Sequence, residues 1–328
     1  MDDEQRDPTH YESVPSAAIR LFRMSWQLEL WLREITYVEV RASHPDWQEF
    51  LKKEIKRWPT TAVSNDKKLT HMATAHESEL SYLTFGQLCD LIMSNWDLWG
   101  DYFPPLENFR SKIEEVRTIR NRVAHCRRPH TNDERRLDLF LRDLDPGVRR
   151  FCLRYSEAAP SDKSDAVAAV IARQWPEYGW STELHSNDSG WLYGTGTSKG
   201  DPRYGARITR LCRDSEHRTG TIYRADMYGR RGTEVDVLDW LQWVVALDRE
   251  PIHAIVSERE LSVTLPAALG ADRIGEVVLN LIRVAQNTSG RSTFAQAARM
   301  DWPEWVLFPN HPLAIFDPAY SGPILDLS

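Results

Sequence analysis

The hydrophobic pattern of this chain changes character near its middle. Over roughly the first 155 residues apolar side chains recur at helical spacing, whereas beyond about residue 165 they fall in short strand-like runs between turn residues. A chain of 328 residues that is 41% hydrophobic is long enough to fill two cores. The sequence therefore predicts an all-α helical bundle over residues 1–157, followed by an α+β domain over residues 165–328.

Five helices are expected in the first domain, with limits set by proline, glycine and capping residues. They span Ser16 to about Arg41, Pro45 to about Arg57, Thr84 to Trp99, Pro104 to Pro129 and Asn132 to Pro146. The stretch from Pro59 to Lys68 is predicted as a loop. Because apolar residues cover well over half of the first helix, we expect it to be packed on several sides.

One polar stripe interrupts that first helix. Ser25, Glu29 and Arg33 follow one another at a spacing of four residues, which places them on one face. Such a stripe either reaches solvent or meets a polar site elsewhere in the fold.

In the second domain the pattern predicts helices and strands in a mixed order. A short helix is expected through Ala166, Val170 and Arg173. Strands are expected at Trp191–Tyr193, Ala206–Thr209, Gly220–Arg224 and His253–Leu265. Amphipathic helices are expected at Val235–Leu247 and Ile274–Ala285. In the run from Ala206 to Thr209 apolar and polar residues alternate, as on a half-exposed strand. This alternation breaks at Arg210, which indicates either a bulge or the end of the strand. The glycine-rich run Gly194–Gly200 lacks the Gly-Lys-Ser/Thr ending of a phosphate-binding loop and is predicted as a hairpin turn.

Composition excludes several classes of protein. The formal net charge of −7 argues against a protein that coats nucleic acid generally. No apolar run approaches the roughly 18 residues that a membrane span requires, so we expect a cytoplasmic protein with no membrane partner. The four cysteines include no CxxC pair and the histidines show no metal-ligand spacing, so no metal or cofactor is predicted.

A short motif carries the candidate chemistry of the first domain. Arg120, Asn121 and His125 lie within about one and a half turns near the end of a predicted helix. Arginine stays charged and can bind phosphate with two hydrogen bonds, and histidine can donate or accept a proton near neutral pH. These are the groups needed to cleave RNA without a metal ion.

The motif lies in a basic segment of an acidic chain. From Arg110 to Arg154 there are 13 Lys and Arg residues against seven Asp and Glu, so the rest of the chain must sum to −13. This distribution is expected of a local site for a polyanion. It is also expected of a solvated helix face whose charges pair at a spacing of four, as Asp138 and Arg142 could.

The motif and the order of the helices resemble the HEPN superfamily, whose signature is an Arg, usually followed by a polar residue, and a His a few residues later. Here it takes the form Arg-Asn-x-x-Ala-His over residues 120–125. The segments Leu83–Leu88, Asn95-Trp96 and Arg117–Ile119 also look like the abortive-infection and toxin-like branches. The resemblance covers about residues 15 to 155 and is silent on the C-terminal half.

The resemblance implies a metal-independent endoribonuclease that acts as a homodimer, with two Arg-His motifs facing each other. Arg120 and His125 would be catalytic, and Asn121 would orient the motif or bind phosphate. The residues expected to steer RNA are Arg117, Arg122, Arg127, Arg128 and His130. The implied role is that of a toxin or an anti-phage abortive-infection effector acting on RNA such as tRNA, with an antitoxin or a phage-derived trigger as partner and a sensing, targeting or regulatory C-terminal domain.

Two other functions fit the same sequence. Many HEPN domains do not cleave, so the helical domain could hold RNA or a nucleotide through Arg120 and His125 without cutting it. Alternatively, the helical domain could be a dimerisation element that serves an interaction surface on the C-terminal domain. RNA binding that depends on Arg120 without cleavage favours the former, and unchanged RNA binding after removal of residues beyond about 160 disfavours the latter.

Overall fold

The computed structural model describes residues 14–69, 71, 79–154, 166–174, 179–184, 190–195, 204–211, 220–229, 236–248, 250–258, 260–287 and 293–308. The predicted domain limits at 157 and 165 and most of the glycine-rich run at 194–200 lie outside these residues. The described part is a helical region followed by an α+β region, as the sequence predicts.

The described residues of the N-terminal region form seven α-helices. They are α1 (Ser16–Ser43), α2 (Trp47–Glu54), α3 (Thr60–Lys67), α4 (Phe85–Ser94), α5 (Trp96–Trp99), α6 (Leu106–Ala124) and α7 (Asp133–Arg154). Their buried side chains form one hydrophobic core. None of the described helices is long and apolar enough to cross a membrane.

The predicted loop at residues 59–68 is wrong, because most of it is the helix α3. None of the residues of α3 is buried, so it carries no apolar stripe from which a helix could have been predicted. Pro59 stands at its start, a position that suits proline because the first helical turn needs no amide donor. The hydroxyl of Tyr82 donates to Asp66 at 2.5 Å and ties α3 to the rest of the region.

The predicted helix at residues 84–99 is divided at Asn95. Thr84 and Gln87 form a capping box at the start of α4, and Asn95 leaves helical geometry with φ −123° and ψ 45°. Its side-chain amide donates to the carbonyl of Leu91 at 3.2 Å and to Glu54 at 3.1 Å. Beyond the break, Trp99 is fully buried.

The predicted end of the last helix at Pro146-Gly147 is also wrong, because α7 continues to Arg154 with Pro146 inside it. Proline removes a hydrogen-bond donor, but Val148 and Phe151 beyond it are buried in the core and their burial offsets that loss. Gly147 is required at this point because a Cβ there would overlap the carbonyl oxygen of Tyr102.

The described part of the C-terminal region contains a seven-stranded sheet with helices. Its elements are α8 (Ala166–Gln174), β1 (Gly179–Leu184), β2 (Gly190–Thr195), β3 (Tyr204–Leu211), β4 (Ile222–Gly229), α9 (Val237–Val245), β5 (His253–Val256), β6 (Glu260–Pro266), α10 (Ala271–Asn287), α11 (Phe294–Ala297) and β7 (Val306–Leu307). The strand order is β1-β2-β3-β4-β6-β5-β7, and all neighbours are antiparallel except β5 and β7.

One detail of this sheet corrects the sequence analysis, and a second decides between the two alternatives at Arg210 in favour of the end of the strand. The predicted strand at residues 253–265 is an antiparallel hairpin of β5 and β6, closed where the amide of Ser257 donates to the carbonyl of Glu260 at 2.8 Å. The pairing of β3 with β4 continues without a shift to Leu211, so the break in alternation at Arg210 marks no bulge and the strand ends one residue later. Strands β1 and β7 were not predicted from the sequence.

The two faces of the sheet meet different partners. Alternate residues such as Ala225, Val263 and Ala254 pack in a second core with α8, α9 and α10. The opposite face turns towards the helical region, where Ile255 and Leu307 pack with Leu30 of α1.

The C-terminal half of α1 joins the two regions through polar contacts. Arg41 donates to the carbonyl of Glu250 at 2.8 Å and to that of Pro251 at 3.1 Å. Nε2 of His253 lies 2.6 Å from Oε1 of Glu34, and both side chains are buried. One helix therefore packs in the bundle and also holds the sheet.

Candidate functional site

The C-terminus of α6 carries the Arg-Asn-x-x-Ala-His motif and ends in a Schellman turn. His125 is the C-cap, the amide of Cys126 donates to the carbonyl of Val123 at 3.0 Å, and that of Arg127 donates to the carbonyl of Arg122 at 2.8 Å. Cys126 has a left-handed backbone with φ 53°, a position that usually holds glycine. The chain is thus turned sharply immediately after His125.

His125 is exposed at this turn. Its backbone amide donates to the carbonyl of Asn121 at 3.2 Å, which continues the helical hydrogen bonds by one residue. Asn121 is also exposed. Among the residues that the structure describes, no side-chain hydrogen bond or ion pair joins Arg120, Asn121 and His125 to one another. The imidazole is therefore open to a ligand from solvent.

Arg120 points to α1 and is held by a carboxylate there. Its Nε donates to Oε1 of Glu29 at 2.7 Å, a contact between residues 91 positions apart in sequence. Both side chains are mostly covered, with 29% of Arg120 and 16% of Glu29 exposed. A charged pair that is partly withdrawn from water is stronger than one at the surface, because solvent screens it less.

Glu29 is itself fixed by a second arginine. Its Oε2 lies 3.5 Å from a terminal nitrogen of Arg33, and Nε of Arg33 donates to the carbonyl of Leu80 at 3.2 Å. Ser25, one turn earlier on the same face, is buried, and its hydroxyl has no partner among the described residues. The polar stripe of α1 therefore meets a polar site and does not simply reach solvent.

Arg122 and Asp133 close the loop after α6. The Arg122 guanidinium binds the Asp133 carboxylate, which also accepts the backbone amide of His130 at 2.9 Å. Burial acts to raise the pKa of Asp133, but the hydrogen bonds from Arg122 and His130 outweigh it and hold that pKa below its usual range. Arg122, expected to steer RNA, is thus engaged in holding the loop.

Arg117 is engaged on the other side of α6. It lies 3.1 Å from Asp90 of α4 and 3.3 Å from Glu114, and a Cβ placed on Gly86 would lie 3.8 Å from Cζ of its guanidinium. Burial acts to lower the pKa of Arg117, but the hydrogen bond to Asp90 and the charge of Glu114 raise it above its usual value.

The remaining predicted RNA contacts lie on the loop itself. Arg127, Arg128 and His130 are exposed, like His125. Within the described part of the chain, no carboxylate pairs with the side chains of Arg127 and Arg128. The loop from His125 to His130 therefore presents two arginines and two imidazoles to solvent, and we call it the basic loop.

Much of the wider basic segment is neutralised by ion pairs. Asp138 pairs with Arg142 at 2.9 Å, as the sequence suggested, and Asp145 pairs with Arg149 at 2.7 Å. Arg136 binds Glu115 across the α6–α7 contact. Within the described residues the basic loop keeps two exposed arginines without a carboxylate partner, and Arg135 of α7 is a third. In the described ranges no group of three or more His, Cys, Asp or Glu side chains is arranged to hold a metal ion.

Two residues of the site were not predicted from the sequence as functional. Glu29 was visible only as part of a polar stripe, and its partner lies on another helix, so spacing along the chain could not pair them. Asp133 was expected only at a helix start, and it also closes the basic loop. Comparison of the chain with models of known families, with curated proteins and with solved structures gives no match.

Proposed function

We propose that the helical region is a metal-independent endoribonuclease of HEPN type. The observation that carries the proposal is the arrangement at the end of α6, where a guanidinium anchored from α1 precedes an exposed histidine and an unpaired basic loop. A fixed cation, a titratable imidazole and a local positive surface are what cleavage of a phosphodiester requires.

The proposed reaction begins with removal of the proton of a ribose 2′-OH by an imidazole. The 2′-oxygen forms a bond to the adjacent phosphorus, the bond to the 5′-oxygen breaks, and an acid group protonates that leaving oxygen. Arg120 stabilises the additional negative charge on the phosphorane through its terminal N–H groups. The products carry a 2′,3′-cyclic phosphate and a 5′-OH, and DNA is not cut because it has no 2′-OH.

The reaction needs an acid as well as a base, and we propose that a second copy of the chain supplies it. Support comes from exposed apolar side chains on the N-terminal half of α1. Phe22 and Trp26, one turn apart, are 59% and 50% exposed, and Ile19 and Leu139 are also exposed. The expectation that α1 is packed on several sides is therefore wrong for this half. Apolar groups left in water on one face favour association.

Trp26→Glu is expected to give a monomer by size-exclusion chromatography with light scattering.

The C-terminal region is proposed to sense, target or restrain the nuclease. Support comes from the contacts of Arg41 and Glu34 with that region, because they lie on the same helix as Glu29. By analogy with toxin-like HEPN proteins, we propose that the protein is an abortive-infection effector or toxin acting on RNA such as tRNA, controlled by an antitoxin or a phage-derived trigger.

The test compares the full-length wild type with His125→Ala on end-labelled total RNA and tRNA in EDTA. Wild-type cleavage that leaves cyclic phosphate ends, and that falls at least about a thousandfold in the variant, is expected for an essential acid or base. Cleavage that persists unchanged in His125→Ala would overturn the proposed site.

A second function is favoured by one observation. No hydrogen bond or ion pair joins the side chains of Arg120, Asn121 and His125 within the described structure, so they could bind RNA without acting together. For such a binding protein, neither the wild type nor His125→Ala cleaves RNA, with or without candidate triggers. Arg120→Ala nevertheless weakens RNA binding.

A further inference from the structure

The acidic residue Glu29 occupies an unusual place for a site that binds an anion. A carboxylate next to a phosphate-binding arginine would be expected to repel the phosphate. The contact to Arg120 nevertheless uses only Nε, at 2.7 Å from Oε1. We infer that Glu29 is a positioning residue, which holds the Arg120 guanidinium so that its two terminal nitrogens face the phosphate of RNA.

The geometry of the guanidinium supports this role. The group is planar and offers five N–H donors, one on Nε and four on the two terminal nitrogens. Glu29 binds the Nε donor, and no other described residue accepts from the terminal nitrogens of Arg120. Those two nitrogens form the fork that matches two oxygens of a phosphate. Binding at Nε therefore fixes the direction of the fork without occupying it.

The charge of the cluster also remains favourable for an anion. Arg33 and Arg120 both lie beside Glu29, so the three side chains together carry one net positive charge. Arg33 is in turn fixed to the carbonyl of Leu80, a residue in the helical core. The carboxylate is thus held from one side and holds Arg120 on the other. Repulsion of phosphate by Glu29 is offset by the second arginine.

The advantage to catalysis is rigidity. A free arginine side chain must lose rotamer freedom when it binds, and this loss opposes binding. An arginine already fixed from α1 loses less, and misplacement of a catalytic group by about 1 Å can cost on the order of a hundredfold in rate. This inference rests on the proposed nuclease function, but its test also reads RNA binding.

The test is a double-mutant cycle on the full-length protein, with Glu29→Gln, Arg120→Ala and the double variant. Cleavage of RNA in EDTA gives kcat and KM, and fluorescence anisotropy gives the affinity for a 2′-O-methyl RNA that cannot be cleaved. Glu29→Gln is expected to lower kcat by roughly 10- to 100-fold with a smaller change in KM. In the Arg120→Ala background the same change is expected to have no further effect, because Glu29 acts through Arg120.

The matched control is Glu115→Gln. Glu115 also pairs with an arginine of a neighbouring helix, Arg136, and is not part of the Arg-Asn-x-x-Ala-His motif. It should leave kcat and RNA affinity unchanged, and circular dichroism and Tm confirm that each variant folds.

The outcomes separate the inference from the proposed function. If Glu29→Gln lowers kcat and RNA affinity equally in the wild-type and the Arg120→Ala backgrounds, Glu29 does not act through Arg120. That result would overturn the inference even if the wild type cleaves RNA. A wild type that binds RNA but never cleaves it would overturn the proposed nuclease function. In that case, an effect of Glu29→Gln on RNA affinity that disappears in the Arg120→Ala background would still support the positioning role. Unchanged kcat and unchanged affinity in Glu29→Gln overturn the inference outright.

Discussion

The arginines of α6 differ from those of the loop that follows it. Arg117, Arg120 and Arg122 each bind a carboxylate from another helix, namely Asp90, Glu29 and Asp133. Arg127 and Arg128 lie a few residues further on and have no such partner within the described residues. The sequence shows five similar arginines, whereas the structure divides them into a paired set and an exposed set.

This difference indicates that the paired and the exposed arginines have different roles. Paired arginines fix backbone and side chains, so their loss should change stability or rate. Exposed arginines are free to approach a polyanion, so their loss should change RNA affinity and its salt dependence and leave stability alone. Equal effects of the paired and the exposed arginines on stability and on RNA affinity would contradict this division.

The largest effect on stability is expected at Asp133. Asp133→Asn removes the charge that binds Arg122 and weakens the contact to the amide of His130. Hydrogen bonds to charged groups contribute about 1.5–3 kcal/mol, so we expect the free energy of unfolding to fall by roughly 1–3 kcal/mol. Urea unfolding followed by circular dichroism measures it.

The control for that variant is the neighbouring Glu134→Gln. Glu134 pairs with Arg20, and both side chains are more than a third exposed, so water and salt already screen the pair. Little change in the urea midpoint is expected. Equal destabilisation by the two variants would mean that the buried contact of Asp133 has no special role.

The same carboxylate predicts a dependence on pH. The pKa of Asp133 is lowered in the folded protein, so its contribution is fully present above the unfolded value of about 3.9 and is lost as the pH falls through the folded value. The difference in Tm between wild type and Asp133→Asn should therefore be constant near neutral pH and shrink below about pH 4. A difference that grows as the pH falls would contradict the sign of the shift.

Removal of the exposed pair should act on RNA. Arg127→Ala together with Arg128→Ala is expected to weaken binding of single-stranded RNA by roughly tenfold, about 1.4 kcal/mol. If each arginine contacts one phosphate, the slope of log affinity against log salt should flatten by about 0.7 for each. Fluorescence anisotropy across a salt series measures both quantities, and Tm should not change.

Arg135→Ala provides the matched control, because Arg135 is an exposed arginine on the neighbouring helix α7. It removes one positive charge from the same basic segment without touching the basic loop. The salt slope should stay at the wild-type value. A loss as large per arginine as in the loop variant would mean that general charge, and not the loop, attracts RNA.

The limits of sequence reasoning are physical and can be seen in single residues. Periodicity located α1, α6 and α7 because each buries an apolar stripe, and it failed for α3, which buries nothing. The proline at 146 was a misleading stop signal, because burial of Phe151 beyond it keeps the helix intact. The motif placed Arg120 and His125 at one helix end, but the pairing of Arg120 with Glu29 depends on how two distant helices pack.

The smallest effect is expected at Cys126, between the paired and the exposed arginines. Its φ of 53° is a left-handed conformation that costs a residue with a Cβ roughly 1–2 kcal/mol and glycine almost nothing. Replacing Cys126 by glycine therefore relieves this cost in the folded protein. Part of the stabilisation is lost because glycine has more conformational freedom in the unfolded chain. Cys126→Gly should therefore raise the free energy of unfolding by about 0.5–1 kcal/mol, as measured by urea unfolding.

Cys126→Ala removes the thiol and keeps the Cβ, so it should leave stability near the wild-type value. If glycine stabilises and alanine does not, the turn after His125 is strained in the folded protein. Cleavage by Cys126→Gly then has two informative results: unchanged kcat means that the paired arginines alone set the geometry of the site, whereas a lower kcat means that the strained turn helps to hold His125.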